Sequence, residues 1–327
     1  MFISFLNKYF IMQKIGNLKI DKGALLAPMA DYTNIAFRTL AKEYGSALQY
    51  TELISAKAIT YNSKRTIEML AVSEAEKPVF LQLFGNDPAI IGEAIKIIEK
   101  KFPKNFVGYD LNCGCSVPKA LRGKYGCYLM DHSKVVGNII AAMKNATKKP
   151  ITIKLRIGLE KETYLAVAKE AEKNGVDAIT LHARFGKQGY GGKANWKKIK
   201  KLKEAVKVPV IGNGDVVDVA TFEQMKKETG CDFVMIARGS IGNAFLFKQV
   251  KQSCEKKKVS EKTSVEILKE GEKFLDLADS FSLGVNSVRG YFIGLANGFN
   301  GAKKLRNEFA IAKSITEIKK SFINFSK

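Results

Sequence analysis

Eight short, apolar, β-rich runs recur along this chain, and each is separated from the next by a segment with helical periodicity. The runs are Ala24–Ala30, Ser46–Glu52, Pro78–Phe84, Phe106–Asn112, Pro150–Arg156, Asp177–Ala183, Val208–Gly212 and Phe233–Ala237. Between them lie amphipathic patterns such as Ile90–Lys101, Val135–Lys144, Thr163–Asn174 and Val217–Glu228. Strict alternation of strand and helix implies a parallel sheet with helical crossovers. Eight repeats with no strand left over favour an α/β fold of the closed (β/α)8 TIM-barrel type over an open sheet.

Such a barrel takes about 250 residues, and this chain has 327. The pattern changes near residue 255. After the charged break Lys256–Lys258 only helical patterns follow: Ser264–Ser280, Val285–Asn297, Ala302–Ala312 and Ile315–Asn324. Prolines stop after Pro209. The division expected is an N-terminal extension over residues 1–12, a barrel over 13–255 and a small all-helical domain over 256–327. The extension is apolar and aromatic, and Met12 stands where the first recognisable motif begins.

The formal net charge is +22. A surplus of that size suits a polyanionic partner, of which RNA is the obvious one, although lysines also simply fill solvated faces. The densest stretch is Lys193–Lys207. Only eight of the 54 basic residues are Arg, so an Arg here is expected where a planar, forked donor is needed. The chain has five cysteines, an odd number, and no secretory signal. Both facts suit a reducing cytoplasm and argue against a disulfide framework. Two distant histidines and a Cys113-Gly114-Cys115 pair without zinc-knuckle spacing give no metal site. No apolar run is long enough to span a membrane.

Barrel enzymes carry their chemistry at the C-terminal ends of the strands. Here those ends hold Ala27-Pro28-Met29-Ala30, Thr51-Glu52, Gln82, Asp110-Leu111-Asn112, Lys154 with Arg156, His182 with Arg184, Gly212-Asn213-Gly214-Asp215, and Ala237-Arg238-Gly239. The glycine-rich ends of strands seven and eight suit a phosphate, with Arg238 adding charge; plain turn chemistry would also use them. Lys154 alternates with apolar neighbours and therefore lines the barrel. An unpaired ammonium there is costly, so it either serves an anionic ligand or pairs with Asp110 or Glu52. His182 is either a satisfied core histidine or part of a site with Lys154 and Arg184.

Taken in order, these motifs resemble the tRNA-dihydrouridine synthases, in particular a bacterial subgroup with a short helical domain. The resemblance rests on Leu26–Ala30 with Phe37-Arg38, Thr51-Glu52 with Ser55–Lys57, Gln82–Gly85 with Asp87-Pro88, Asp110–Asn112 with Gly114-Cys115, Val117–Lys119, Lys154–Arg156, Leu181–Arg184, Gly212–Asp215 and Ala237–Gly239. It implies bound FMN, NADPH as reductant, and uridines of tRNA as substrate, in a cytoplasmic monomer. It implies that Ala27, Pro28 and Met29 line the isoalloxazine and that Gln82, Lys154 and His182 meet its polar edge. Asn213, Gly214, Asp215, Ala237, Arg238 and Gly239 would hold the ribityl phosphate. Asn112 and Arg184 would face the uracil, and Cys115 would be the general acid. An ordinary thiol, with a pKa of about 8.5, keeps its proton at neutral pH and can donate it. The family usually has Pro after this cysteine; here it is Ser116, so the loop loses one fixed φ. Two other readings are a flavin barrel acting on a small pyrimidine, and a non-catalytic RNA-binding barrel.

Overall fold

The computed structural model describes residues 14–299 and 301–326; the expected extension over residues 1–12 lies outside them. Eight parallel strands form the centre: β1 (Leu25–Leu26), β2 (Gln49–Tyr50), β3 (Val79–Phe84), β4 (Gly108–Cys113), β5 (Ile151–Arg156), β6 (Ala178–His182), β7 (Val210–Asn213) and β8 (Phe233–Ile236). They pair in the order β1-β8-β7-β6-β5-β4-β3-β2. A bridge between Leu25 and Leu48 joins the two ends, with Leu26 N–H donating to Leu48 O and Ala47 N–H to Ala24 O, both at 2.9 Å. The ring closes into a barrel, as the alternation predicts.

Strand periodicity of two sorts the side chains. On β4 and β5, Tyr109, Leu111, Cys113, Ile151, Ile153 and Leu155 face the surrounding helices and join the large outer core. Their alternates Asp110, Asn112, Thr152, Lys154 and Arg156 therefore point inward. The lower barrel is plugged by a separate cluster that includes Tyr50, Phe80, Ala178, Ile211, Phe233 and Met235. Register sets Asn112 opposite Lys154, and His182 opposite both Arg156 and Asn213, so these residues occupy two successive inward-facing levels near the mouth.

Two expected strands are shorter than the apolar runs suggest. β1 stops at Leu26 because Pro28 has no N–H to donate and the chain then turns, with Thr33 N–H donating to Met29 O at 3.0 Å. β2 stops at Tyr50, and Ile54–Ser55 rejoins the sheet against β3. An antiparallel hairpin, Lys14–Ile15 with Leu18–Lys19, was not expected. It turns at Gly16-Asn17, with Gly16 at φ +57°, and delivers Ile15 to the lower plug.

Helices α1 (Ile35–Glu43), α2 (Pro88–Lys101), α3 (Ser133–Ala146), α4 (Tyr164–Lys173), α5 (Trp196–Ala205), α6 (Val219–Thr229) and α7 (Phe245–Cys254) lie between or after the strands. Local signals set their starts: Asp87 caps α2, with Pro88 at its first position, and Asp218 caps α6. The C-terminal region is helical throughout: α8 (Ser264–Ser280), α9 (Val285–Leu295), α10 (Ala302–Ile311) and α11 (Ile315–Ser326). Its apolar residues merge with the barrel's outer core. Phe37 of α1 packs edge-on against Tyr291 of α9, ring centres 5.0 Å apart. Glu270 of α8, fully buried, accepts from the Ala244 and Phe245 N–H groups at the start of α7 (2.9 and 3.1 Å), from the Tyr291 hydroxyl (2.6 Å) and from Lys262 (3.0 Å).

Candidate active site

A cavity of about 830 Å³ opens at the C-terminal ends of the strands, the size of a cofactor pocket. Its wall includes Ala27, Pro28, Met29, Asn112, Cys115, Lys154, His182, Asn213, Gly214, Asp215, Ala237, Arg238 and Gly239. Thirteen of the residues singled out from sequence therefore meet in one place. Gln82 and Arg184 are not on the wall. Gln82 is fully buried, with its amide held by Asp110 and Asn112. Arg184 is 1 % exposed and donates to both oxygens of Asp215 (2.7 and 2.9 Å) and to the carbonyls of Gly191 (3.2 Å) and Gly192 (2.6 Å).

The floor is cationic. Lys154 donates to Asn213 Oδ1 at 3.1 Å; among the described residues no carboxylate forms an ion pair with it, neither Asp110 nor Glu52. Burial first, then the neighbouring Arg156, lowers the Lys154 ammonium to about 8, against the pull of Asp110. His182 lies beside it with Nε2 3.4 Å from Arg184 Nη1. Burial and four surrounding cations, Lys154, Arg156, Arg184 and Arg238, drive its pKa far down, so the ring is neutral at physiological pH.

The β7 and β8 ends form a cradle. Gly214 has φ +119°, and a Cβ there would lie 2.9 Å from Ala194 Cβ and 3.1 Å from the His182 ring. At Gly239 a Cβ would run into the Val216 carbonyl. Asp215 adopts φ +58° without being glycine, held by Arg184 and by the Ala194 N–H at 2.7 Å. Burial works to raise its carboxyl, but these two partners outweigh it and keep it below the ordinary range. The Arg238 side chain is half exposed over the cradle, with Nη2 3.7 Å from Asp215.

Cys115 sits on the opposite wall, half-buried. Its loop is pinned from three sides. Its own N–H donates to Asn112 Oδ1 at 3.0 Å, its carbonyl accepts from Cys127 N–H at 2.7 Å, and the Gly114 carbonyl accepts from Arg156 Nε at 2.9 Å. Ser116 thus stands in a loop fixed by hydrogen bonds. Cys113, Cys127 and Cys231 are buried, and burial pushes the Cys127 thiol up to about 12.

Two further wall residues matter: Arg156, named at the end of strand five but given no role, and Tyr190, which the sequence reading did not name. Arg156 clamps the Cys115 loop to the β6 loop, donating to Phe185 O and Gly189 O at 2.9 Å each. Tyr190 stands on that β6 loop at 64 % exposure, its ring centre 4.6 Å from the Arg238 guanidinium and 5.7 Å from that of Arg156. The signal for Tyr190 was a lone aromatic among Gly186, Gly189, Gly191 and Gly192. An exposed ring over two guanidinium groups offers a stacking surface.

The model of the family described as Dihydrouridine synthase (Dus) matches residues 25–325. The chain belongs to the dihydrouridine synthase family. Relatives in this family named "Probable tRNA-dihydrouridine synthase" include one from Aquifex aeolicus, 39 % identical over 239 residues, covering 72 % of this chain and 75 % of the relative. Another, from Rickettsia prowazekii, is 33 % identical over 322 residues and covers 96 % and 97 %. Among solved structures, an old yellow enzyme homologue from Zymomonas mobilis matches with a TM-score of 0.53 at 12 % identity, covering 78 % of this chain and 94 % of that one. Histamine dehydrogenase from Rhizobium sp. 4-9 matches at 0.57 and 16 %, covering 83 % and 51 %. These likenesses are of fold. The family match extends through the C-terminal helices as well as the barrel.

Proposed function

We propose that this dihydrouridine synthase family member reduces the C5=C6 bond of specific uridines in tRNA, using FMN held in the cavity and NADPH as reductant. One observation carries the reading: a half-buried thiol, Cys115, lines one cavity with a glycine cradle and a lysine that has only a neutral partner. The residues fit the cofactor. Gly214, Gly239 and Arg238 suit its phosphate, Lys154 suits negative charge on the ring, and Ala27, Pro28 and Met29 offer an apolar face. When bound, the flavin supplies hydride to C6 of the uracil.

The chain's own residues do the rest. Cys115 delivers a proton to C5. Asn112 holds the Cys115 N–H and borders the space for the base. Neutral His182 leaves Lys154 as the cation at the ring edge. The target base leaves its stack to enter the mouth. Residues 256–327 form a helical RNA-binding domain on the barrel of residues 13–255, and together with the lysine-rich faces they hold the RNA backbone. Among the described residues no helix is long and apolar enough to cross a membrane; the enzyme works as a cytoplasmic monomer.

The test is direct. Protein reconstituted with FMN is yellow, and after reduction by NADPH it is reoxidised by unmodified tRNA but not by free pyrimidines. Absence of a flavin band after reconstitution overturns the cofactor assignment. Reoxidation by orotate or uracil, with tRNA inert, points to the small-molecule barrel instead.

A further inference from the structure

Below the cavity wall a line of side chains runs inward from Cys115, and each link is a hydrogen bond of ordinary length. The N–H groups of Gly114 and Cys115 donate to Asn112 Oδ1 at 3.3 and 3.0 Å. Asn112 Nδ2 donates to Gln82 Oε1 at 2.9 Å. Gln82 Nε2 donates to Asp110 Oδ2 at 2.7 Å, and the Thr152 hydroxyl donates to the other Asp110 oxygen at 2.6 Å. Asp110, Gln82 and Thr152 are fully buried, and Asn112 is 5 % exposed.

A primary amide can sit either way round in its slot, with oxygen and nitrogen exchanged. Two amides in series therefore leave the sense of the whole line open unless one end is fixed. An ionised carboxylate only accepts. It forces Gln82 to turn its NH₂ toward Asp110 and its oxygen toward Asn112. Asn112 must then present its own NH₂ to Gln82, which leaves its oxygen for the Cys115 N–H. In the opposite sense, NH₂ of Asn112 would face two N–H donors and the loop bonds would be lost. Burial raises the Asp110 carboxyl to about 6, opposed by the Thr152 and Gln82 bonds and by Lys154. At neutral pH the group is still mostly ionised and serves as the fixed end.

We infer that Asp110 is a positioning residue: through Gln82 and Asn112 it sets the sense of this relay and so holds the Cys115 loop in place for proton delivery. The inference rests on the proposed role of Cys115 only for its consequence in catalysis, not for the relay itself. It also gives Gln82 a task away from the cavity, consistent with its position behind the wall.

The experiment uses the flavin-loaded enzyme and reads Cys115 in two ways. The first is the rate of alkylation by iodoacetamide at the Cys115 peptide, followed by mass spectrometry, with half-buried Cys254 as internal reference. The second is reoxidation of the reduced enzyme by tRNA. In Asp110→Asn the new amide fits either way round, so the inner end no longer dictates a sense and only the two loop N–H groups still favour the original one. Alkylation at Cys115 should rise about fivefold, the worth of one net hydrogen bond, and reoxidation should slow by a similar factor, while Cys254 and the flavin content hold steady. The double variant D110N/Q82E moves the carboxylate one link along and again allows only one sense, so Cys115 alkylation should return toward the wild-type rate. Should D110N fail to fold, Gln82→Met cuts the line in the middle and carries the same expectation for Cys115. Unchanged alkylation in a folded D110N or Q82M, or no recovery in the double variant, overturns the inference. If C115A is reoxidised normally by tRNA, the acid assignment fails while the alkylation result still judges the relay.

Discussion

Lys154 on β5 reaches past β6 to Asn213 on β7, its Nζ 3.1 Å from the side-chain oxygen. The partner is neutral, so the ammonium is stabilised by one hydrogen bond rather than by an ion pair. A cation held this way at the floor of a cavity is poised for an anionic ligand, and its own protonation becomes sensitive to pH in a useful range.

With Lys154 lowered to about 8 by burial and Arg156, its charge is lost as pH rises through 8. Flavin affinity and the rate of flavin reduction by NADPH should both fall with a midpoint near pH 8, and Lys154→Arg should flatten the profile between pH 7 and 10. Lys154→Ala should slow reduction on the order of 10²-fold. The sign for stability is opposite. The folded value lies below that of an unfolded lysine, about 10.4, so the buried ammonium weakens the fold below pH 8. The flavin-free protein should therefore gain stability as pH rises from about 8 toward 10, and Lys154→Met should lose that gain in thermal melts. A pH-independent reduction rate in the wild type would show that Lys154 does not act on the cofactor.

Cys115→Ala should keep its flavin and be reduced by NADPH at the wild-type rate. Reoxidation by tRNA should slow by about 10²–10⁴-fold, the usual contribution of one positioned acid. Cys113 is buried in the outer core, so Cys113→Ala should cost about 1 kcal/mol of stability and leave both half-reactions intact. Rapid mixing separates the two steps; a wild-type reoxidation rate in C115A would move the search to Cys127.

Arg184 ties Asp215 of the glycine cradle to the loop that carries Tyr190. Lysine cannot reproduce the fork. Arg184→Lys should lower stability by about 2 kcal/mol, expose residues 186–193 to limited proteolysis, and raise the KM for tRNA about tenfold. Equal proteolysis and an unchanged KM would mean that Arg184 braces the cradle without influencing the loop.

Deleting residues 256–327 should abolish turnover of tRNA. It also removes Glu270 from the N–H groups of Ala244 and Phe245 and uncovers Phe37. Flavin binding should thus survive only with a lowered melting temperature. Glu270→Gln in the full chain isolates the second effect: a loss of about 3 kcal/mol with tRNA turnover retained below the melting range. A truncated protein that modifies tRNA normally would remove the RNA-binding role from the helical region.

What the sequence determined by itself was whatever local patterning controls. Alternation of strand and helix specifies the barrel, because each strand buried on both faces must be apolar and each crossover needs a helix. Helix α8 spans Ser264–Ser280 as expected, since the Thr263 cap and the apolar spacing lie within the segment itself. The period of two in Ile151–Arg156 already placed Lys154 inside the barrel. The tertiary structure alone decided who meets whom across the ring. Lys154 found Asn213 rather than Asp110 or Glu52, Arg184 turned to Asp215 and the glycine loop, Gln82 sat behind the wall, and Tyr190 came over the cavity. Lys154 and Asn213 lie 59 positions apart, Arg184 and Asp215 31, and Gln82 and Asp110 28, while Tyr190 lies on a loop without a repeating pattern. Strand register and the packing of loops at the mouth fix them, and neither is written in the spacing of any one segment.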